Sequence, residues 1–139
     1  MAGRLIGIDY GTKRVGLAVT DPLQMIATAL DTIHAKEVID FLKAYVVKEP
    51  VEAFVVGMPK QLNGEDTNNT IPVKQFVAKL KQALPDYPIF YVDERFTSKM
   101  ALQTMIAMGT KKKDRRKKEN IDKISATIIL QTFLETKHT

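Results

Sequence analysis

Two continuous apolar runs of strand length, Ala53-Phe54-Val55-Val56 and Ile89-Phe90-Tyr91-Val92, constrain this chain more than any other feature. Neither alternates with polar residues, so each suits a buried strand covered on both faces, as in a parallel sheet. Between them Val73, Phe76, Val77, Leu80 and Leu84 recur at the spacing of an amphipathic helix, with Pro72 near its first turn. Strand, helix, strand is the crossover that a parallel pair requires. Upstream, Leu5-Ile6-Gly7-Ile8 and Val15-Gly16-Leu17-Ala18-Val19 flank a glycine-containing turn and read as a hairpin whose first strand ends at Asp9. A third strand of weaker pattern falls near Ile26 to Ile33. Val38, Leu42, Tyr45 and Val46 share a helical face that Pro50 closes. Thr97 or Ser98 caps a helix through about Met108, and a last helix runs from about Glu119 to Glu135. The order βββαβαβαα predicts an α/β fold: a mixed sheet with parallel later strands and helices on both faces. No repeat or linker divides residues 1–139, which are expected to form a single domain.

Composition removes several kinds of chemistry. The chain has no Cys, so disulfides, thiol catalysis and thiolate metal sites are excluded. Its longest uncharged stretches, Met100 to Thr110 and Ile124 to Leu134, are 11 residues each, against the roughly 20 a membrane helix needs. Asp9 interrupts the first apolar run too early for a signal peptide. A soluble, cytoplasmic protein without a membrane partner is expected. Lys plus Arg number 21 against 16 Asp plus Glu, a net charge of +5 that permits an anionic partner without demanding one.

Ligands in open α/β sheets collect outside the carboxyl ends of the strands. Asp9, Gly57-Met58-Pro59 and Glu94 all fall at such ends. Taken singly, Asp9 reads as a turn aspartate satisfying backbone donors, and Glu94 reads the same way with Arg95 beside it. Asp122 is different. On a helix it shares a stripe with Ala126, Ile129 and Phe133, which are small or apolar, so the stripe packs toward the protein body. A carboxylate aimed inward must be paired, protonated or bound to a metal. Its place near a helix N-terminus also allows a capping role around Asn120 to Asp122. If the three acids converge they need a cation, and hard oxygen donors without Cys suit Mg²⁺ or Mn²⁺. Two such ions about 4 Å apart can activate water and stabilise the leaving oxygen of a phosphodiester.

The positive charge has one address. Lys111-Lys112-Lys113-Asp114-Arg115-Arg116-Lys117-Lys118 carries net +6, leaving the rest of the chain at −1. Such a block reads either as a solvated loop or as a phosphate clamp that orders on nucleic acid, and its position just ahead of Asp122 favours the clamp. It holds no aromatic residue, so contacts to the nucleic-acid backbone are expected and base stacking is not evident. Lys13, Arg14 and Arg95 lie beside the candidate acids and read equally as structural counter-charges or phosphate contacts. His34 and His138 fall outside every motif and are not expected to be ligands. Thr97 and Ser98 read as caps, and Met100, Met105 and Met108 as core or partner surface.

Four segments in order, Ile8-Asp9-Tyr10-Gly11-Thr12-Lys13-Arg14-Val15-Gly16, Val56-Gly57-Met58-Pro59 with Asn63-Gly64, Asp93-Glu94-Arg95-Phe96-Thr97-Ser98, and Asp122 with Ser125-Ala126, resemble the YqgF (RuvX) family. The resemblance covers nearly the whole chain. It implies a ribonuclease-H-like fold, a five-stranded mixed sheet with strand two antiparallel, and an acidic triad at Asp9, Glu94 and Asp122. It also implies a nuclease of Holliday junctions or of pre-16S rRNA. The expected activity is metal-dependent hydrolysis of phosphodiesters in structured RNA or branched DNA. Asp9 would bridge two Mg²⁺ or Mn²⁺ ions, with Glu94 and Asp122 completing the shell. A non-catalytic nucleic-acid or ribosome-assembly module is the alternative. A phosphotransferase is a third reading, because Ile8-Asp9-Tyr10-Gly11-Thr12 also resembles the phosphate loop of actin-like and sugar-kinase ATPases, which use two such domains. The state is expected to be monomer or homodimer, and junction resolution would favour the dimer.

Overall fold

The computed structural model describes residues 3–58, 70–93 and 118–137. Five strands, β1 (Arg4–Tyr10), β2 (Arg14–Thr20), β3 (Ala27–His34), β4 (Val51–Met58) and β5 (Ile89–Asp93), form one sheet in the order β3-β2-β1-β4-β5. β2 runs antiparallel to both β1 and β3, whereas β4 is parallel to β1 and β5 is parallel to β4. Helix α1 (Val38–Lys48) precedes β4, α2 (Thr70–Ala83) joins β4 to β5, and α3 is Lys118–Lys137. The mixed sheet, its antiparallel second strand and its parallel later strands agree with the sequence reading. The helix expected up to Met108 lies outside the described residues.

Strand alternation sorts the core into two layers. Ile6, Ile8, Val15, Leu17, Phe54, Val56 and Met58 pack with Val38 and Leu42 of α1 and with Val73, Phe76, Val77 and Leu80 of α2. Their neighbours on the other face, Leu5, Ala18, Ala53, Val55 and Val92, pack with Ala126, Ile129, Leu130 and Leu134 of α3. The predicted faces of α1 and α2 are therefore the buried ones. α1 ends where expected: Glu49 is extended, its N–H donating to Tyr45, and Pro50 follows. On α3, Ala126 and Ile129 of the anticipated stripe are fully buried. Among the described residues no helix is long and apolar enough to cross a membrane.

Two details depart from expectation. β1 runs one residue past Asp9, to Tyr10, whose ring stacks on Phe76 with centroids 4.6 Å apart. β5 was expected to be buried throughout, yet Phe90 and Tyr91 are 43% and 48% exposed. The reason is its place at the edge of the sheet, where it has one strand neighbour.

The end of the sheet remote from Asp9 is closed by the β2–β3 turn. The Asp21 carboxylate accepts N–H bonds from Met25 and Ile26, both at 2.8 Å, and from Leu23 at 3.2 Å. Gln24 sits at φ 57, left-handed backbone that non-glycine residues seldom adopt. Its buried amide donates to the Gly3 carbonyl at 2.8 Å and to the Glu52 carboxylate, which holds the turn in place.

Candidate active site

The carboxyl ends of β1, β4 and β5 lie side by side, the arrangement in which open α/β sheets place their ligands. Asp9 is the penultimate residue of β1 and is half-buried. Ile8 pairs with Val56, and Val56 with Tyr91, so Asp9 stands one rung beyond that row. Leu5 belongs to the α3 layer, and by alternation Gly7 and Asp9 share its face. Asp93, the last residue of β5, pairs with Met58, is exposed, and has the opposite parity.

The hairpin after Asp9 is shaped by one glycine. A Cβ at Gly11 would lie 2.6 Å from the Arg14 carbonyl oxygen, so the turn closes only without a side chain. Lys13 is exposed in this turn, and its carbonyl accepts the Ala35 N–H at 3.0 Å, tying the turn to the end of β3. Arg14 opens β2, half-buried and opposite His34. The His34 ring accepts the Lys36 N–H at 3.2 Å through Nδ1. Both cations thus stand at the same sheet end as Asp9.

α3 is seated directly on β1. A Cβ at Gly7 would meet the Ala126 carbonyl oxygen at 2.8 Å and Leu130 Cβ at 2.9 Å. Asp122 is one turn before Ala126, about 6 Å along the helix axis. Asp9 is two residues beyond Gly7, about 7 Å along the strand. The two acidic positions therefore lie a short step from one contact point. Glu94 and Arg95 lie outside the described residues, as do Pro59, Asn63, Gly64, Lys111, Lys112, Lys113, Arg115, Arg116 and Lys117; Lys118 opens α3.

The donor set at this end is carboxylate oxygen. The chain has no Cys, and His34 is engaged with the backbone. Such oxygens fit a hard divalent cation. Among the described residues no three His, Cys, Asp or Glu side chains form a metal-holding group, so Asp9 is the part of the anticipated triad whose surroundings are defined. Sequence reasoning missed Tyr91, Lys74 and Asp93, which line a cleft beside Met58 and Val92. Tyr91 was concealed inside an apolar run, and only the edge position of β5 reveals it.

An acidic end of a five-stranded mixed sheet, with helices on both faces, defines a ribonuclease-H-like protein. The fold is shared with Thermus thermophilus RuvC in complex with Holliday junction substrate, at a TM-score of 0.55 and 18% identity over 97% of this chain and 96% of that one. The chain belongs to the RuvX family of nucleases, described as Holliday junction resolvase, which matches residues 3–136. Relatives named "Putative pre-16S rRNA nuclease" include one from Bacteroides thetaiotaomicron, 52% identical over 96% of this chain and 97% of the relative. Another, from Amoebophilus asiaticus, is 54% identical over 96% of this chain and 95% of the relative.

Proposed function

We propose that this nuclease hydrolyses phosphodiester bonds of structured nucleic acid with Mg²⁺ or Mn²⁺ held by Asp9, Glu94 and Asp122. The observation that carries the reading is Asp9 itself, a half-buried carboxylate at the carboxyl end of the central strand, on the face where α3 meets Gly7. Glu94 is next in sequence after Asp93, the last residue of β5. Divalent ions held there supply Lewis acidity, activation of water and a counter-charge for the scissile phosphate. The chain's own residues do the rest. The three carboxylates hold the cations, and Lys13, Arg14 and Arg95 orient the phosphates next to the scissile one. The segment Lys111, Lys112, Lys113, Arg115, Arg116, Lys117 and Lys118 neutralises phosphates further along the strand.

The names of the relatives make pre-16S rRNA processing, which we place at the 5′ end, the favoured substrate context, with Holliday junctions as the second. Residues 1–139 act as one cytoplasmic domain, a monomer on RNA and a homodimer where two strands must be cut symmetrically. The test is cleavage of ribosomal precursor RNA, RNA duplex and branched DNA with Mg²⁺ or Mn²⁺. Asp9→Asn, Glu94→Gln and Asp122→Asn should each lower kcat by at least about a hundredfold while melting like the wild type. Undiminished cleavage by Asp9→Asn and Glu94→Gln rejects the mechanism, and metal-independent binding without turnover turns the protein into a binding module.

A further inference from the structure

The other face of the same sheet end holds a cleft that the carboxylates do not use. Met58, Lys74, Tyr91, Val92 and Asp93 line an open cleft of about 290 Å³, near the lower bound of roughly 300 Å³ at which pockets take small ligands. Its size suits one flat ring system and not a double helix. Three elements build it: the ends of β4 and β5 and the early turns of α2.

Tyr91 is the unusual member. By alternation it shares the α1/α2 side of the sheet with Ile89 and Met58, which pack into the core on that face, yet it is 48% exposed. Its ring therefore presents an aromatic surface to the cleft. Met58 supplies an apolar, polarisable neighbour, Lys74 a cation on the α2 side, and Asp93 an acceptor at the strand end. Tyr10 and Phe76 already form a stacked aromatic pair on this face, two residues beyond the row of Tyr91. Asp9 lies one residue beyond the row of Tyr91, with its side chain on the opposite face. A strand crossing the carboxyl end of the sheet with its phosphate at Asp9 can thus place a neighbouring base at Tyr91.

We propose that this cleft receives one unpaired nucleobase of the bound strand, stacked on Tyr91. Lys74 faces the phosphate of that nucleotide, and Asp93 accepts from an exocyclic amino group or an imino N–H. The proposal rests on the nuclease reading for its ligand class, but it needs no metal. Stacking on an aromatic ring tolerates any base because every base has a π-face. Recognition here would select an unpaired nucleotide beside the cleavage point over a continuous duplex. The cleft would supply the aromatic contact that the basic segment lacks.

The experiment uses the full chain in EDTA with short RNA and DNA oligonucleotides carrying 2-aminopurine, either unpaired beside a duplex or within it. The wild type should quench the unpaired fluorophore and leave the signal of the paired one, already low from stacking in the duplex, unchanged. Tyr91→Phe should bind and quench like the wild type. Tyr91→Leu and Tyr91→Ala should lose the quench and about tenfold in affinity for the unpaired probe, and Lys74→Gln should lower the salt slope by about one. Circular dichroism melting identifies which variants fold, and the Phe and Leu pair decides the matter if the Ala variant does not. Wild-type quenching in both Tyr91→Leu and Tyr91→Ala overturns the cleft, and if Asp9→Asn still abolishes cleavage the nuclease reading stands without it. Tyr91-dependent quenching together with undiminished cleavage by Asp9→Asn and Glu94→Gln supports the cleft and removes the catalytic reading.

Discussion

Gly7 has no room for a side chain, because a Cβ would sit 2.8 Å from a carbonyl oxygen and 2.9 Å from Leu130 Cβ. Neither neighbour is the free end of a flexible chain, so Gly7→Ala must push α3 off the sheet. Overpacking of this kind costs about 1–3 kcal/mol, which urea unfolding should show as a lower midpoint; an unchanged midpoint would mean that α3 is not seated on β1. Nothing in Ile6-Gly7-Ile8 shows this contact, since the residues pressing on it lie more than a hundred positions downstream. Asp21 makes a different residue-scale case. The N–H groups of Ile26 and then Met25 are the main influences holding its carboxyl below the ordinary 3.8, with Leu23 adding a smaller pull. A carboxylate with a depressed pKa contributes stability that is complete above 3.8 and lost as pH falls through the lowered value. The urea midpoints of wild type and Asp21→Asn should therefore differ near neutrality and converge as pH falls from 3.8 through the lowered value; a gap that is constant with pH would assign the effect to shape and not to charge. An aspartate before a proline signals a turn, but the three bonds it accepts depend on a Gln24 conformation that sequence does not reveal.

At the scale of elements, legibility followed burial. β4 reads plainly because both its faces are covered, leaving an unbroken apolar run from Ala53 to Val56. β3 reads faintly because it is an edge strand with a register shift against β2, and its residues are half-buried or exposed. α1 and α2 were recognisable from their stripes, since each lays one face on the same core layer. The basic segment ahead of α3 belongs to this scale too. Replacing Lys111, Lys112, Lys113, Arg115, Arg116, Lys117 and Lys118 with Gln should weaken nucleic-acid binding and flatten its dependence on salt. Each base that pairs a phosphate contributes about 0.7–0.9 to the slope of log affinity against log salt. Fluorescence anisotropy at four salt concentrations measures it, and an unchanged slope would reduce the segment to a solvated loop. The fold should survive, because Lys and Arg side chains are almost never fully buried unless paired.

The molecule as a whole is a sheet with two unlike ends. One end gathers Asp9, the hairpin cations Lys13 and Arg14, and the Tyr91 cleft; the other is closed by the rigid Asp21 turn. Sequence order alone predicted the mixed sheet, because strand-to-strand crossovers leave few alternatives. It did not give the strand order, which makes β1 central and β5 an edge, and so it placed Asp9 correctly at a strand end while hiding Tyr91. One consequence follows from the seating of α3 over Gly7. A nascent chain that has emerged as far as Asp93 already contains the five described strands and the two helices described against the first layer. Leu5, Ala18, Ala53, Val55 and Val92 then await a partner that begins 25 residues later, at Lys118. Until α3 emerges that layer lacks the helix described against it, and apolar side chains left so are open to chaperones or to self-association. Closing that face brings position 122 to the sheet, so the chain finishes folding and assembles its proposed acidic site in one event.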